Sequence, residues 1–179
     1  MAEKAFKVEG KPYAGIDILA IAEEQVFKSA VRGLNAWKDN LGAGEGAKGS
    51  RRPWVDTGEA RANLSIRPGD EGSLEYEVYG NVIQLYIAEF GRSPNNAPPP
   101  KKAIEDWVAR KGIATRGSPE FDGIVHAVRM KIAKDGIKGF APGLKAAHDS
   151  TVGLEAELRE RLMEEHRARH GAASQGFIG

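Results

Sequence analysis

The chain has 179 residues, 22 of them glycine and none cysteine, and 26 Lys and Arg against 25 Asp and Glu leave a net charge of +1. These totals exclude a whole-molecule basic field for holding nucleic acid, and they exclude disulfides, thiolate metal sites and cysteine nucleophiles. Leu, Ile, Val and Phe number 38, about 21 % of the chain and just above the ~20 % below which disorder sets in, so the core is lean and neighbouring chains are expected to complete some apolar surface. No run of 18 apolar residues is present, which predicts no membrane span, and the opening MAEKAFKVEGKPYAG holds no apolar stretch of signal-peptide length.

Residues 16–38 predict a long helix. Leu19, Ala22, Val26, Ala30, Leu34 and Trp37 recur at helical spacing, Phe27 and Val31 widen the stripe, and Gly42 marks the end. Gly42–Ser50 has the composition of a mobile connector. Its Gly44-x-Gly46-x-x-Gly49 matches a dinucleotide fingerprint in letters only, because a helix precedes it and Arg51-Arg52-Pro53 follows. Asp56 and Glu59 have the spacing of N-cap and N3 in a capping box, with Val55 placed as the staple residue.

Residues 62–80 predict a hairpin. Ala62, Leu64 and Ile66 alternate with polar residues, Pro68–Gly72 is a turn cluster, and Leu74, Tyr76 and Val78 alternate again. Residues 82–90 fit a short buried helix or another strand, stopped by Gly91. Arg92–Pro100 predicts an exposed, stiff, irregular segment, since its prolines fix φ and lack donors. Helices are expected over 101–111 (Ile104, Trp107, Val108) and 119–135 (Phe121, Ile124, Val125, Val128, Ile132), with breaks at Gly136, Gly139 and Pro142. A last helix, 143–169 with an interruption at Gly153, carries a narrow Leu154, Leu158, Leu162 stripe among Glu/Arg pairs and reads as a docking arm.

The sharpest catalytic candidate is Asp56-Thr57-Gly58, which resembles the aspartic-protease signature, where two such carboxylates share a proton and activate water. One copy would require a homodimer, those enzymes are almost wholly β, and the capping box accounts for Asp56 without catalysis. His166 and His170 lie four apart in a charged stretch, but a third ligand and the His-Glu-x-x-His order are missing. Lys48–Arg52 and Lys101-Lys102 are short basic clusters without interleaved aromatics.

The order of features up to about residue 145 resembles the neck or tail-completion proteins of long-tailed bacteriophages, the minor tail protein Z group. The resemblance rests on Pro53-Trp54-Val55-Asp56-Thr57-Gly58 with Arg61 and Leu64-Ser65-Ile66, then Tyr86-Ile87-Ala88-Glu89-Phe90-Gly91. It continues with Ala103-Ile104-x-x-Trp107-Val108-x-x-Lys111-Gly112 and Gly139-Phe140-x-Pro142 with Leu144. It implies a non-enzymatic virion protein with no cofactor and no metal, assembled in the host cytoplasm. Such proteins form rings, hexameric or dodecameric, at the head–tail junction. Their partners are connector, tail-terminator or tail-tube proteins, and DNA passes only as cargo. The alternatives are a tail terminator, a head-closure subunit, and the homodimeric peptidase using Asp56.

The expected fold is α+β, a small antiparallel sheet packed on helices between long N- and C-terminal helices. One domain spans 1–150, and 151–179 forms a helical arm and tail. Asp56, Thr57, Gly58, Glu59, Glu89, Phe90 and Gly91 are the structural motif residues. Arg92, Pro98, Pro99, Pro100, Leu154, Leu158 and Leu162 are the interface candidates.

Overall fold

The computed structural model describes residues 15–49 and 57–174, with side chains as far as 171. The fold is α+β. In chain order it comprises α1 (Ile18–Ala43), α2 (Glu59–Ala62), β1 (Ser65–Pro68), β2 (Tyr76–Tyr79), α3 (Ile83–Phe90) and β3 (Gly91–Arg92), then α4 (Lys101–Arg110), α5 (Phe121–Asp135), β4 (Ile137–Lys138), α6 (Pro142–Thr151) and α7 (Leu154–Ser174). The chain forms two compact units. One holds Met1–Ala36, Ser65–Tyr79 and Ala147–Gly179, the other Trp37–Leu64 and Gly80–Ala146.

In the first unit the hairpin packs on the first part of α1. Antiparallel pairing sets Ile66 opposite Val78 and Arg67 opposite Glu77. The period of two then puts Ile66, Val78 and Tyr76 on one face, as expected. Tyr76 meets Phe27 of α1 with ring centroids 5.2 Å apart. On the other face Arg67 pairs with Glu77 at 2.6 Å and lies 4.8 Å from the centre of the Tyr79 ring. The hairpin is shorter than 62–80, because Ala62 closes α2 and the ladder starts at Ser65.

Two expectations for the first helix change. It runs on to Ala43, and Gly44, at φ +75°, ends it while the Glu45 N–H returns to the Asn40 carbonyl at 2.9 Å. Its most buried face is only in part the apolar stripe, of which Ala22 is buried and Val26, Ala30, Leu34 and Trp37 are half-buried. Ile21, Ala22, Gln25, Ser29 and Gly33 are buried, while Leu19 is 70 % and Phe27 45 % exposed. The small residues are covered because the end of α6 approaches closely. Ser29 Oγ donates to the Ser150 carbonyl at 2.7 Å, and a side chain at Gly33 would meet Ser150 Oγ at 3.1 Å. The last helix breaks where expected, at Gly153 with φ +85°.

The second unit has two apolar centres. Val108, Phe121 and Val125 form one, with Ile104, Trp107 and Ile124 packed around it. Around the other, Leu41, Leu64, Leu85, Ala88 and Phe140 are all buried. A second antiparallel pair, Gly91 opposite Lys138 and Arg92 opposite Ile137, was not expected from the sequence. Arg92 is therefore strand, and the irregular segment starts after it. Residues 82–90, open between helix and strand, are the helix α3.

Candidate functional site

The two motif regions meet around α3. Gly58, at φ +80°, leads into α2, so Glu59 is its first helical residue rather than the third, which corrects the expected box. The Thr57 hydroxyl accepts from the Glu59 N–H at 3.3 Å, and the Glu59 carboxylate instead accepts from Gln84 Nε2 of α3 at 3.3 Å. Asp56 lies outside the described residues. Gly80 admits the chain into α3, since a Cβ there would fall 2.2 Å from Leu85 Cδ1 and 3.3 Å from Leu64 Cδ2.

At its other end α3 is bolted to the start of α6. Glu89 Oε2 accepts from the Gly143 N–H at 2.8 Å and Oε1 from the Leu144 N–H at 3.0 Å. Pro142 holds the first helical position, which needs no donor, and Ala141 before it has no capping side chain. Glu89 thus supplies from a distance the N-terminal cap that the local sequence lacks, with its charge on the favourable end of the dipole. The Ala88 carbonyl accepts from Phe140 N–H at 2.8 Å and Ala141 N–H at 3.2 Å. Gly91 adds a positive φ of 83° and a contact that no side chain could enter, its Cβ position being 2.5 Å from the Ile137 carbonyl oxygen.

The glycine connector is docked here, which corrects the expected mobile loop. Ala47 and Lys48 N–H donate to the Ala141 and Phe140 carbonyls, each at 3.1 Å. Asn40 Nδ2 donates to the Pro142 carbonyl at 3.0 Å, and Trp37 packs so close to Gly143 that a Cβ would be 2.8 Å from its ring.

The outward side of α3 is the unusual surface. Leu85 and Ala88 are buried, yet Ile83 is 65 %, Tyr86 59 % and Phe90 65 % exposed. The last three share one face at helical spacing, and the Tyr86 and Phe90 rings lie 4.9 Å apart. A helix apolar all round is ordinarily a buried one. Of the motif residues, Glu89 and Gly91 therefore hold the fold, while Phe90 faces outward.

The interface candidates separate. Arg92 bonds the Ala97 carbonyl across the turn. Pro98 and Pro100 are exposed, but Pro99 is half-buried, its carbonyl accepting from Arg129 Nε at 2.8 Å, so the link is tied to α5. Leu154, Leu158 and Leu162 are half-buried on α7. The α4–α5 lobe is laced with ion pairs. Lys101 bridges Glu105 and Asp122, and Asp106 takes Arg116 and Lys102, the Arg116 hydrogen bond holding its carboxyl below the usual carboxylate range.

The His166 and His170 rings meet at a tilt of 42° with centroids 4.5 Å apart. Among the described residues no group of three or more His, Cys, Asp or Glu is placed to hold a metal ion, and no helix is long and apolar enough to cross a membrane. Sequence reasoning missed the capping role of Glu89, the approach of Trp37 to Gly143, and the seat of Gly46, where a Cβ would fall 1.9 Å from the Phe140 carbonyl oxygen. The one readable signal was a proline opening a helix with no capping residue before it. No family model matches the sequence, and no curated protein or solved structure matches it.

Proposed function

We propose that this chain is a non-enzymatic structural protein of a long-tailed phage, a ring-forming subunit of the head–tail junction. It would join the tail to the capsid and let DNA pass. The outward face of α3 carries this reading. Ile83, Tyr86 and Phe90 together expose on the order of 350 Å², a patch size that in monomers is often a functional surface. Two of its three residues, Tyr86 and Phe90, lie in the Tyr86–Gly91 element that resembles the neck family, beside a cap and a glycine contact that make it rigid. A rigid apolar patch fits assembly better than chemistry. The α+β fold, with a hairpin on helices, agrees with the family's architecture.

A closed ring needs a heterologous interface whose rotation closes, so the patch would meet a different surface on the next subunit. Adjacent connector, terminator or tail-tube proteins would meet the ring's two ends. The test is mass spectrometry and cryo-electron microscopy of purified virions of the phage that encodes the chain. Density for a ring at the junction is expected, and its height along the axis separates neck, tail-terminator and head-closure positions. Absence of the protein from the virion would overturn the reading.

A further inference from the structure

Helix α7 is held on α1 unlike any other long element. No residue over 154–171 is buried. One face, Leu154, Leu158 and Leu162 with Glu157, Arg161 and Glu165, is half-covered. The clasps are polar. Arg32 Nη2 pairs with Glu157 Oε2 at 2.9 Å, and Arg169 bonds the Gly15 carbonyl. Glu24, whose carboxyl is lowered mainly by its bond to Lys28, also feels the Arg161 guanidinium. The order is antiparallel, and the ion pair across the two helices is Arg32 with Glu157, while Arg161 pairs with Glu164 and Glu165 of its own helix at 3.8 and 3.6 Å.

The connection is equally distinctive. Val152 is 64 % exposed, and Gly153, at φ +85°, would find nothing within 4 Å of a Cβ. Just before this pivot the end of α6 is fixed, through Ser29 to Ser150. A pivot next to a fixed point, and an arm held by exposed ion pairs, which bind weakly, make a part that can leave its seat.

We infer that α7 is an exchangeable arm: in the assembled state it swings at Gly153 and lies on the α1 of a second copy of this chain. The Arg32–Glu157 pair favours that occupant, since each α1 presents the same arginine to any α7 in the same register. An exchange remakes every contact it breaks and links neighbours without a new surface. The inference rests on the self-assembly proposed above.

The chain has no cysteine, so introduced thiols are the only ones. A size-tagged copy carrying Arg32→Cys is mixed with an untagged Glu157→Cys copy at assembling concentration and treated with a short bis-maleimide. A band of the mixed mass is expected, absent when Glu71→Cys on the hairpin loop replaces Arg32→Cys. Both positions are exposed, and circular dichroism of each variant checks folding. The Arg32→Cys/Glu157→Cys double variant should link within the chain when dilute and between chains when assembled. A second pair reads the charge match: Arg32→Glu and Glu157→Arg copies should assemble better together than either alone. Oligomers on mass photometry that contain only intrachain links overturn the exchange and leave the ring standing. A chain that stays monomeric with intrachain links also overturns it, and virion incorporation then decides the ring separately.

Discussion

Glu89 and Gly143, 54 residues apart in the chain, are joined by a 2.8 Å hydrogen bond from the Gly143 N–H to the Glu89 carboxylate. Its companion from Leu144 makes the pair a two-pronged cap on α6. Glu89→Ala should therefore cost about 1–2 kcal/mol, lowering Tm by roughly 2–8 °C for a chain of this size. Glu89→Gln should recover only part, because its amide NH2 opposes one of the two donors. Thermal denaturation of the three proteins checks the ranking.

Glycine substitutions should separate sharply by position. A Cβ at Gly46 would lie 1.9 Å from the Phe140 carbonyl oxygen. Gly46→Ala must push the connector off and lose the bonds of Ala47 and Lys48, a cost of about 2–4 kcal/mol. Gly123 sits in α5 with nothing within 4 Å, and Gly123→Ala should stabilise by roughly 0.5–1 kcal/mol. Chemical denaturation midpoints at constant slope give both values.

Acid should loosen the α4–α5 lobe through Asp106. Its folded pKa is lowered, first by the Arg116 hydrogen bond and then by Lys102. A depressed carboxyl contributes stability above its unfolded value of about 3.9 and loses it as pH falls through the folded value. The wild-type Tm should drop more steeply than that of Asp106→Asn over that window. Added salt should shrink the difference, since the groups are exposed.

The outer face of α3 should matter for assembly and little for the monomer. Phe90→Ser or Ile83→Ser should change monomer stability by no more than about 0.5 kcal/mol, as for other exposed positions, and should abolish oligomers on size-exclusion chromatography with light scattering. If the proposed function holds, complementation of a phage lacking the gene should fail in parallel. Unchanged oligomers would remove the patch from the assembly.

The hairpin was legible because Ile66, Tyr76 and Val78 follow a local period and Pro68–Gly72 is a local turn. The helices α4 and α5 were legible for the same reason. The facing of α1 was not: Ser29 and Gly33 are buried against Ser150, more than a hundred residues away, and no stripe announces that. The short pair of β3 and β4 is two residues on each side, below the length at which alternation exists. Residues 82–90 stayed ambiguous because α3 is apolar on the outside as well as the inside, which is the property that makes it a candidate surface. At the site, Glu89, Phe90 and Gly91 stood out as a motif. Their division of labour became readable only once Gly143 was beside the carboxylate.

The two-rung ladder between β3 and β4 brings the two ends of 93–136 side by side. The segment between them has its own apolar centre at Val108, Phe121 and Val125. It is built like a cassette, entered and left through one doorway. A lineage could lengthen, trade or delete such a cassette without rethreading the chain around it, and a protein engineer could replace it with a tight turn or a reporter domain at the same place.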